Sequence, residues 1–516
     1  MNASPERRPS LLNAQHRQHL WAAGAVAAMR VDSPMISYHS LEGGKSDRIM
    51  SVDCHPDASD GLVTFATVGG GGEGDVRLWS LAPDAEAPVY RSSLRKGHDG
   101  SVNCARWSPD GAKLCSAGDR GTVCVWSGQS TAAWWRGLDD RDERATCGHL
   151  SHSDDVYDVC WSPCGAYVLS GSIDGVVTIW HADARRAVKV VRDHAHYVQG
   201  VAWDPLGTCF ATASSDRTVK VYALPDKWAA SKKPLAPKTV RFWGDERARR
   251  RREKARKDAG DTETKEEPRE GLFSSEIAHA SFFRRLQFAA DGTALVAAAA
   301  ARGDAQGAAA LLRDGLDRGP FAFLASPEGA CGGARACPVL FRRGAGPPRA
   351  LVALLCHDAF AVHDVRSGRP LAVGAGGHYA ALTDGAWAPD GSALILASAD
   401  GYLSFARFDP GELGERVDAP RPAAAAEPAA PPANDEAAPG TPHAAPAAAA
   451  PPRPETGDAA ASPKKKKRIA PTLLAPPTPK SPAPEPAPEP AAPAPAEPDA
   501  PPKKKKRIAP TLLVAA

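Results

Sequence analysis

One phrase returns four times between residues 50 and 222, and it constrains this chain more than any other feature. Its clearest copy, Ser101 to Trp126, reads SVNCARWSPDGAKLCSAGDRGTVCVW: an alternating strand, a Pro-Asp-Gly turn, a second strand, a polar tight turn and a third strand ending in tryptophan. Asp155 to Trp180 repeats it as DVYDVCWSPCGAYVLSGSIDGVVTIW, Val198 to Tyr222 repeats it again, and Met50 to Trp79 is looser, with a glycine-rich turn. The closing aromatics Trp79, Trp126, Trp180 and Tyr222 lie 47, 54 and 42 residues apart, near the period of about 40 to 45 of four-stranded propeller blades. Two weaker copies follow, Ser281 to Leu324, which opens SFFRRLQFAADG, and Cys337 to Val365, and then Thr383 to Phe408 restores the full pattern. Seven units close a ring, which buries sheet faces and protects most strand edges. The first and last segments of such a ring share a blade, so Met35 to His39 (MISYH) is expected to add a strand to blade seven.

Polar residues recur with the same period. His98, His152 and His194 each stand four residues before the valine that opens the next strand, and Asp174 and Asp216 stand six before the closing aromatic. These positions resemble the WD-repeat family. The resemblance implies that the histidine, the aspartate, a strand Ser or Thr and the tryptophan indole form a buried hydrogen-bond chain in each blade. Blade three supplies His152, Asp174, Ser170 and Trp180, blade four His194 and Asp216, and blade seven Asp400. Blade two has His98 but carries Arg120 where the aspartate belongs, and Gly148-His149 falls outside the register, leaving the structural role to His152. A His and Asp recurring once per blade read as satisfied core polar groups, since an active site would not recur with the repeat. The fold class is therefore an all-β, seven-bladed WD-repeat β-propeller followed by a disordered Ala/Pro-rich tail.

Composition sets the limits of the folded part. Residues 1–30 read as a disordered leader; an alanine-rich stretch after Arg17 imitates a targeting peptide without its leucine-rich core. Residues 31–412 are assigned to the propeller, with a charged insertion at about 225–275 that contains the helix-capable segment Asp245 to Asp258 (DERARRRREKARKD). That segment reads as a solvated insertion, because no aromatic residues interleave with its arginines as a single-strand nucleic-acid site would need. Residues 413–516 are dominated by Ala, Pro and Glu and cannot pack a core. The formal charge of +3 argues against direct DNA contact by the chain as a whole. No run of about eighteen apolar residues occurs, so no membrane partner is expected. The 11 cysteines show no paired spacing, and Cys160 and Cys164 lack further ligands, so a reduced compartment and no metal or cofactor are expected. The run Gly69 to Gly74 lies between two strands with no helix after it, unlike a phosphate loop. With no nucleophile, metal or nucleotide pattern, the chain is expected to be no enzyme and to take no small-molecule substrate.

The tail holds an exact duplication, KKKKRIAPTLL, at Lys464 to Leu474 and Lys503 to Leu513. Each copy is a basic block followed by an alternating segment suited to an added edge strand, where proline is tolerated. The basic blocks Lys464, Lys465, Lys466 and Lys503, Lys504, Lys505 alone would serve nuclear import, but import does not require the IAPTLL extension. The phrases HAHYVQGVAWDPLGTCFATASSDRTVKVY, DDVYDVCW and SFFRRL, over about residues 30 to 410, resemble the p60-type WD-repeat middle subunits of chromatin assembly factor 1. The tail motif is similar to the one by which that family and HIRA-type proteins bind the anti-silencing-function histone chaperone. Carried over, the resemblance makes Lys467, Arg468, Ile469, Pro471, Leu473 and Leu474, and Lys506, Arg507, Ile508, Pro510, Leu512 and Leu513, the chaperone contacts. It implies large and small chromatin assembly factor 1 subunits and histones H3/H4 as further partners, a nuclear location, and nucleosome assembly during replication and repair. The rival readings are a HIRA-type replication-independent assembly subunit or another nuclear scaffold such as a ubiquitin-ligase substrate receptor. In the HIRA-type family a long folded domain follows the motif, whereas here the chain stops at Ala516. Ser462, beside the first lysine block, is a Ser-Pro site whose phosphorylation would offset that block's charge.

Overall fold

The computed structural model describes residues 29–34, 39, 47–70, 74–128, 146–240, 282–302, 305–327 and 329–417. Among these residues the chain forms seven four-stranded antiparallel sheets and one two-stranded ribbon, with no α-helix. Blade one is Ile49–Cys54, Val63–Gly69, Val76–Leu81 and Val89–Leu94; blade two is Val102–Trp107, Lys113–Gly118, Thr122–Ser127 and Thr146–Ser151. Blade three is Val156–Trp161, Tyr167–Ser172, Val177–His181 and Arg186–Val191; blade four is Val198–Trp203, Cys209–Ser214, Val219–Ala223 and Pro237–Val240. Blade five is Gln287–Phe288, Ala294–Arg302, Ala305–Leu312 and Ala322–Ala325; blade six is Gly333–Ala336, Leu351–Leu355, Ala359–Asp364 and Pro370–Ala375. Blade seven is Leu382–Trp387, Ala393–Ser398 and Leu403–Phe408, with Met29–Asp32 as its outer strand. The first strands of successive blades touch one another all the way round, blade seven against blade one. The result is a closed seven-bladed β-propeller.

The period of two along each strand explains how seven separate sheets become one core. In blade one, Phe65 and Val63 pack toward blade seven with Ile395, Leu403 and Phe405. The alternate residues Ala66 and Val68 pack toward blade two with Val102, Leu114 and Trp126. Each strand thus feeds two interblade cores, and the Phe65–Phe405 edge contact at 6.3 Å lies across the junction that closes the ring. Blade five shows tertiary context overriding propensity. Ala294–Arg302 and Ala305–Leu312 are alanine-rich, and alanine favours helix, yet both are strands because their small side chains fill narrow gaps against blades four and six.

Four boundaries differ from the sequence expectation. The strand that closes blade seven is Met29–Asp32, not Met35 to His39, and its register is Met29↔Phe408 through Asp32↔Phe405. His39 sits in blade one instead, its Nε2 3.0 Å from Thr67 Oγ1, and residues 35–38 lie outside the described residues. The propeller's first strand accordingly starts at Met29, inside the expected leader. The expected insertion of 225–275 contains Pro237–Val240, the outer strand of blade four, and Trp228, which packs against Tyr167 and Trp203. Asp245 to Asp258 lies outside the described residues. Blade six opens at Gly333–Ala336, before Cys337, because Leu340–Arg342 pairs instead with Glu415–Val417, beyond the expected boundary at 412.

Candidate functional site

The repeated polar residues are placed by the turns that join strands. In blade four, His194 bridges Asp216 Oδ2 at 2.8 Å through Nδ1 and Thr212 Oγ1 at 2.7 Å through Nε2. Asp216 also accepts from the Thr218 hydroxyl at 2.6 Å and its amide at 2.9 Å. Burial alone would raise the Asp216 carboxyl, but these donors, His194 first, hold it well below the usual carboxylate range. Tyr222 stands where the tryptophan would be, and its hydroxyl donates to Asp193 at 3.3 Å. Blade seven pairs His378 Nδ1 with Asp400 at 3.1 Å and Nε2 with Ser404 at 2.8 Å. Blade one runs from His39 to Thr67 Oγ1, which also accepts from Trp79 Nε1 at 2.9 Å. The histidines of blades one and seven were missed in the sequence because neither stands four residues before a strand-opening valine.

Blade three departs from its expected arrangement. His152 Nε2 lies 2.6 Å from Ser170 Oγ, and Trp180 Nε1 donates to the same oxygen at 2.7 Å. Asp174 accepts from the hydroxyl of Ser153, the residue after His152, and from Val176 N–H at 2.8 Å rather than from the His152 ring itself. Blade two keeps His98 to Ser116 at 2.7 Å and Trp126 to Ser116 at 2.8 Å, but Nδ1 of His98 is buried without a hydrogen-bond partner. Burial lowers His98 and His152 to about 4, so both rings are neutral at pH 7.

A second polar assembly lies on the ring axis. The guanidinium of Arg285, fully buried, donates to Asn103 O at 2.8 Å and Thr383 O at 2.7 Å and lies 3.4 Å from Asp158. One side chain therefore joins blades two, three, five and seven, which only an axial position allows. Asp384 receives Ser51 at 2.6 Å, Arg106 at 3.0 Å and Arg335 at 2.8 and 2.5 Å. Burial disfavours charge on Arg106, but Asp384 beside it keeps the guanidinium protonated. Near it, burial raises Asp53 to about 7. These buried ions pair across blades and so tie the ring together, although Arg106 Nη2 makes no hydrogen bond and only approaches Asp158 at 3.7 Å. In the sequence they were hidden as single polar residues within apolar strands.

A third group left only a faint trace in the sequence. Cys124, on the third strand of blade two, and Cys147 and His149, on its fourth, place two thiols and an imidazole within 4.8 Å of one another. The hydrogen bond with Cys147 and then burial raise the Cys124 thiol. The only sequence trace was a Cys-x-His alternation across from a cysteine, with 22 residues between Cys124 and Cys147. The expected chaperone contacts and import lysines, Lys464 to Leu474 and Lys503 to Leu513, lie outside the described residues.

Comparison with known proteins places this geometry. A sequence model of the CAF1B/HIR1 beta-propeller domain matches residues 29–413. The chain is 33% identical over 406 residues to a protein of Oryza sativa subsp. japonica named chromatin assembly factor 1 subunit FAS2 homolog, covering 75% of this chain and 74% of that one. It is 30% identical over 374 residues to a chromatin assembly factor 1 subunit of Gallus gallus, covering 66% of this chain and 62% of the relative. Protein hir1 of Emericella nidulans is 26% identical over 399 residues, with 72% of this chain and 36% of the relative covered.

Proposed function

Because the chain belongs to the CAF1B/HIR1 β-propeller family, whose members are scaffolds and not enzymes, we propose that it is a structural subunit of a histone chaperone complex of the chromatin assembly factor 1 type. The observation that carries this reading is the identity of 33% and 30%, across the propeller, to relatives named as subunits of that factor. The ring supports it physically. Its axis is filled by interlocked ion pairs, and the pocket around Met29, Phe360 and Leu396 has room for about one water. A platform of this kind suits the holding of partner proteins.

In this reading the propeller docks with a large and a small subunit in the nucleus, the complex receives histones H3/H4, and nucleosome assembly accompanies DNA replication and repair. The sequence after Val417 is the tether, and Ile469, Pro471 and Leu474, with Ile508, Pro510 and Leu513, seat an extended peptide on the sheet edge of the anti-silencing-function chaperone. Two copies raise the local peptide concentration for that partner. The test is pull-down of the purified chaperone by full-length protein with Ile469→Asp and Ile508→Asp, singly and together. Loss of binding in the double variant supports recruitment by the tail, and undiminished binding rejects it. The hir1 similarity carries the rival reading, a HIRA-type assembly subunit. Co-purification decides between them: the partners of chromatin assembly factor 1 in one case, a HIRA-type complex in the other.

A further inference from the structure

We propose that Cys124, Cys147 and His149 form a binding site for one zinc ion on the outer two strands of blade two, with a fourth position open to solvent. The two strands pair in the register Cys124↔His149 and Trp126↔Cys147, so all three side chains leave the same face of the sheet. His149 Nδ1 lies 3.7 Å from Cys124 Sγ and 3.9 Å from Cys147 Sγ. Zinc bonds of about 2.3 Å to sulfur and about 2.0 to 2.1 Å to nitrogen put tetrahedral ligands roughly 3.6 to 3.8 Å apart. The two sulfur–nitrogen separations are already near those values, and all three donor atoms lie within 4.8 Å of one another on two paired strands.

The donor set selects the metal. Two thiolates and an imidazole suit zinc and exclude the oxygen-seeking magnesium and calcium. Access is graded: Cys124 is buried, Cys147 half-buried and His149 exposed, so an ion can reach the site from the side of His149 and Cys147. The Cys124 thiol, 2.9 Å from the Gly97 carbonyl, gives its proton to solvent on binding, as does Cys147. A disulfide fits the same geometry poorly. Cys124 lies opposite His149 and Cys147 opposite Trp126, so the cysteines are diagonal neighbours with backbones roughly 7 to 8 Å apart, beyond the separation of about 4.4 to 6.8 Å that a disulfide spans. Bridging by zinc would fasten Thr146–Ser151, which rejoins the blade after a long connection, to Thr122–Ser127 and so offset part of that loop's closure entropy.

Cobalt(II) titration of the reduced full-length protein without oxygen tests the site. The expected result is one equivalent of four-coordinate cobalt, with intense visible d–d bands and a thiolate charge-transfer band, displaced by one equivalent of zinc. His149→Ala and Cys147→Ser, at exposed and half-buried positions, should each weaken cobalt and zinc binding by more than the roughly 10- to 100-fold expected for loss of a supporting residue. Cys164→Ser should leave binding unchanged, and circular dichroism verifies that each variant is folded. Zinc should raise the melting temperature of the parent and not of His149→Ala. Absence of the cobalt bands with all thiols reduced overturns the proposal. So do bands indifferent to both ligand variants, a Cys124–Cys147 disulfide in the purified chain, or binding of copper(I) without zinc.

Discussion

In blade four the turn 214–218 holds Asp216 against His194, whereas in blade two the turn of equal length, 118–122, presents Arg120 to solvent and leaves His98 Nδ1 without a partner. The contrast is more than a side-chain swap. In blades three, four and seven a serine two residues before the aspartate accepts its amide: Ser172 from Asp174 at 3.3 Å, Ser214 from Asp216 at 3.1 Å, Ser398 from Asp400 at 3.3 Å. The same serine hydroxyl donates to the connector from the preceding blade. Blade two has Gly118 at that position, and two successive residues, Arg120 (φ 61°) and Gly121 (φ 76°), take the left-handed conformation. The sheet scaffold is thus common to both blades, and the turn decides whether the histidine is fully paired.

The largest separation between the two blades should come from Asp216→Ala. It leaves His194 Nδ1 with only the Thr218 hydroxyl at 3.4 Å and removes acceptors from Ala195 and Thr218, an expected loss of about 2 to 3 kcal/mol by denaturant unfolding. A loss no greater than that from an exposed alanine substitution would break the comparison. Next comes the attempt to convert one turn into the other. A Cβ on Gly118 would lie 2.1 Å from the Ser101 carbonyl, so Gly118→Ser should destabilise by about 1 to 3 kcal/mol despite restoring the residue type of blade four. If Gly118→Ser is instead neutral, the turn of blade two is free to adopt the other form.

How much of this was legible beforehand follows from what repeats. His98, His152 and His194 and the aspartates of three blades were visible because the chain restates them at a fixed period. The exchange of Ser214 for Gly118 was equally visible as a letter, but its meaning depends on the distance to Ser101, which no periodicity encodes. The axial group of Arg106, Arg285, Arg335, Asp158 and Asp384 was not legible, since its members belong to five blades and meet only when the ring closes. His39 and the Met29–Asp32 strand were confused with each other for a related reason: both MRVD and MISYH alternate, and only the need for a histidine beside Thr67 separates them. The outer strand of blade four, Pro237–Val240, was lost because four residues carry too little pattern to stand out from the charged sequence after them.

Acid should act on the histidines that burial keeps neutral. Burial lowers His39 to about 3 and His98, His152 and His363 to about 4 in the folded chain, against 6.5 for a free histidine. Below pH 6.5 the unfolded chain takes up protons that the folded chain refuses, so stability falls as pH drops from about 6.5 and levels off near the folded values. Asp53, raised to about 7, opposes this, because its folded form holds a proton that the unfolded chain releases above 3.8. From pH 6.5 to 5.5 each deeply buried histidine should cost about 1 kcal/mol. His98→Gln should reduce the acid slope of thermal unfolding by one histidine's share, and an unchanged slope would show that the folded chain protonates His98 as readily as the unfolded chain does.

The smallest effect belongs to Arg120, and it is the most direct probe of the contrast. Its side chain is exposed, and its contribution to the turn is a backbone N–H donated to Asp155 Oδ1 at 2.8 Å, which any residue but proline supplies. Arg120→Ala should therefore change stability by less than about 0.5 kcal/mol. Arg120→Gly should be at least as stable as Arg120→Ala, since glycine takes φ 61° without a Cβ penalty and offsets its greater unfolded-state entropy. If alanine at 120 costs as much as alanine at 216, the guanidinium has taken over the aspartate's role in blade two, and the two turns are alternative solutions of equal strength instead of a paired and an unpaired one.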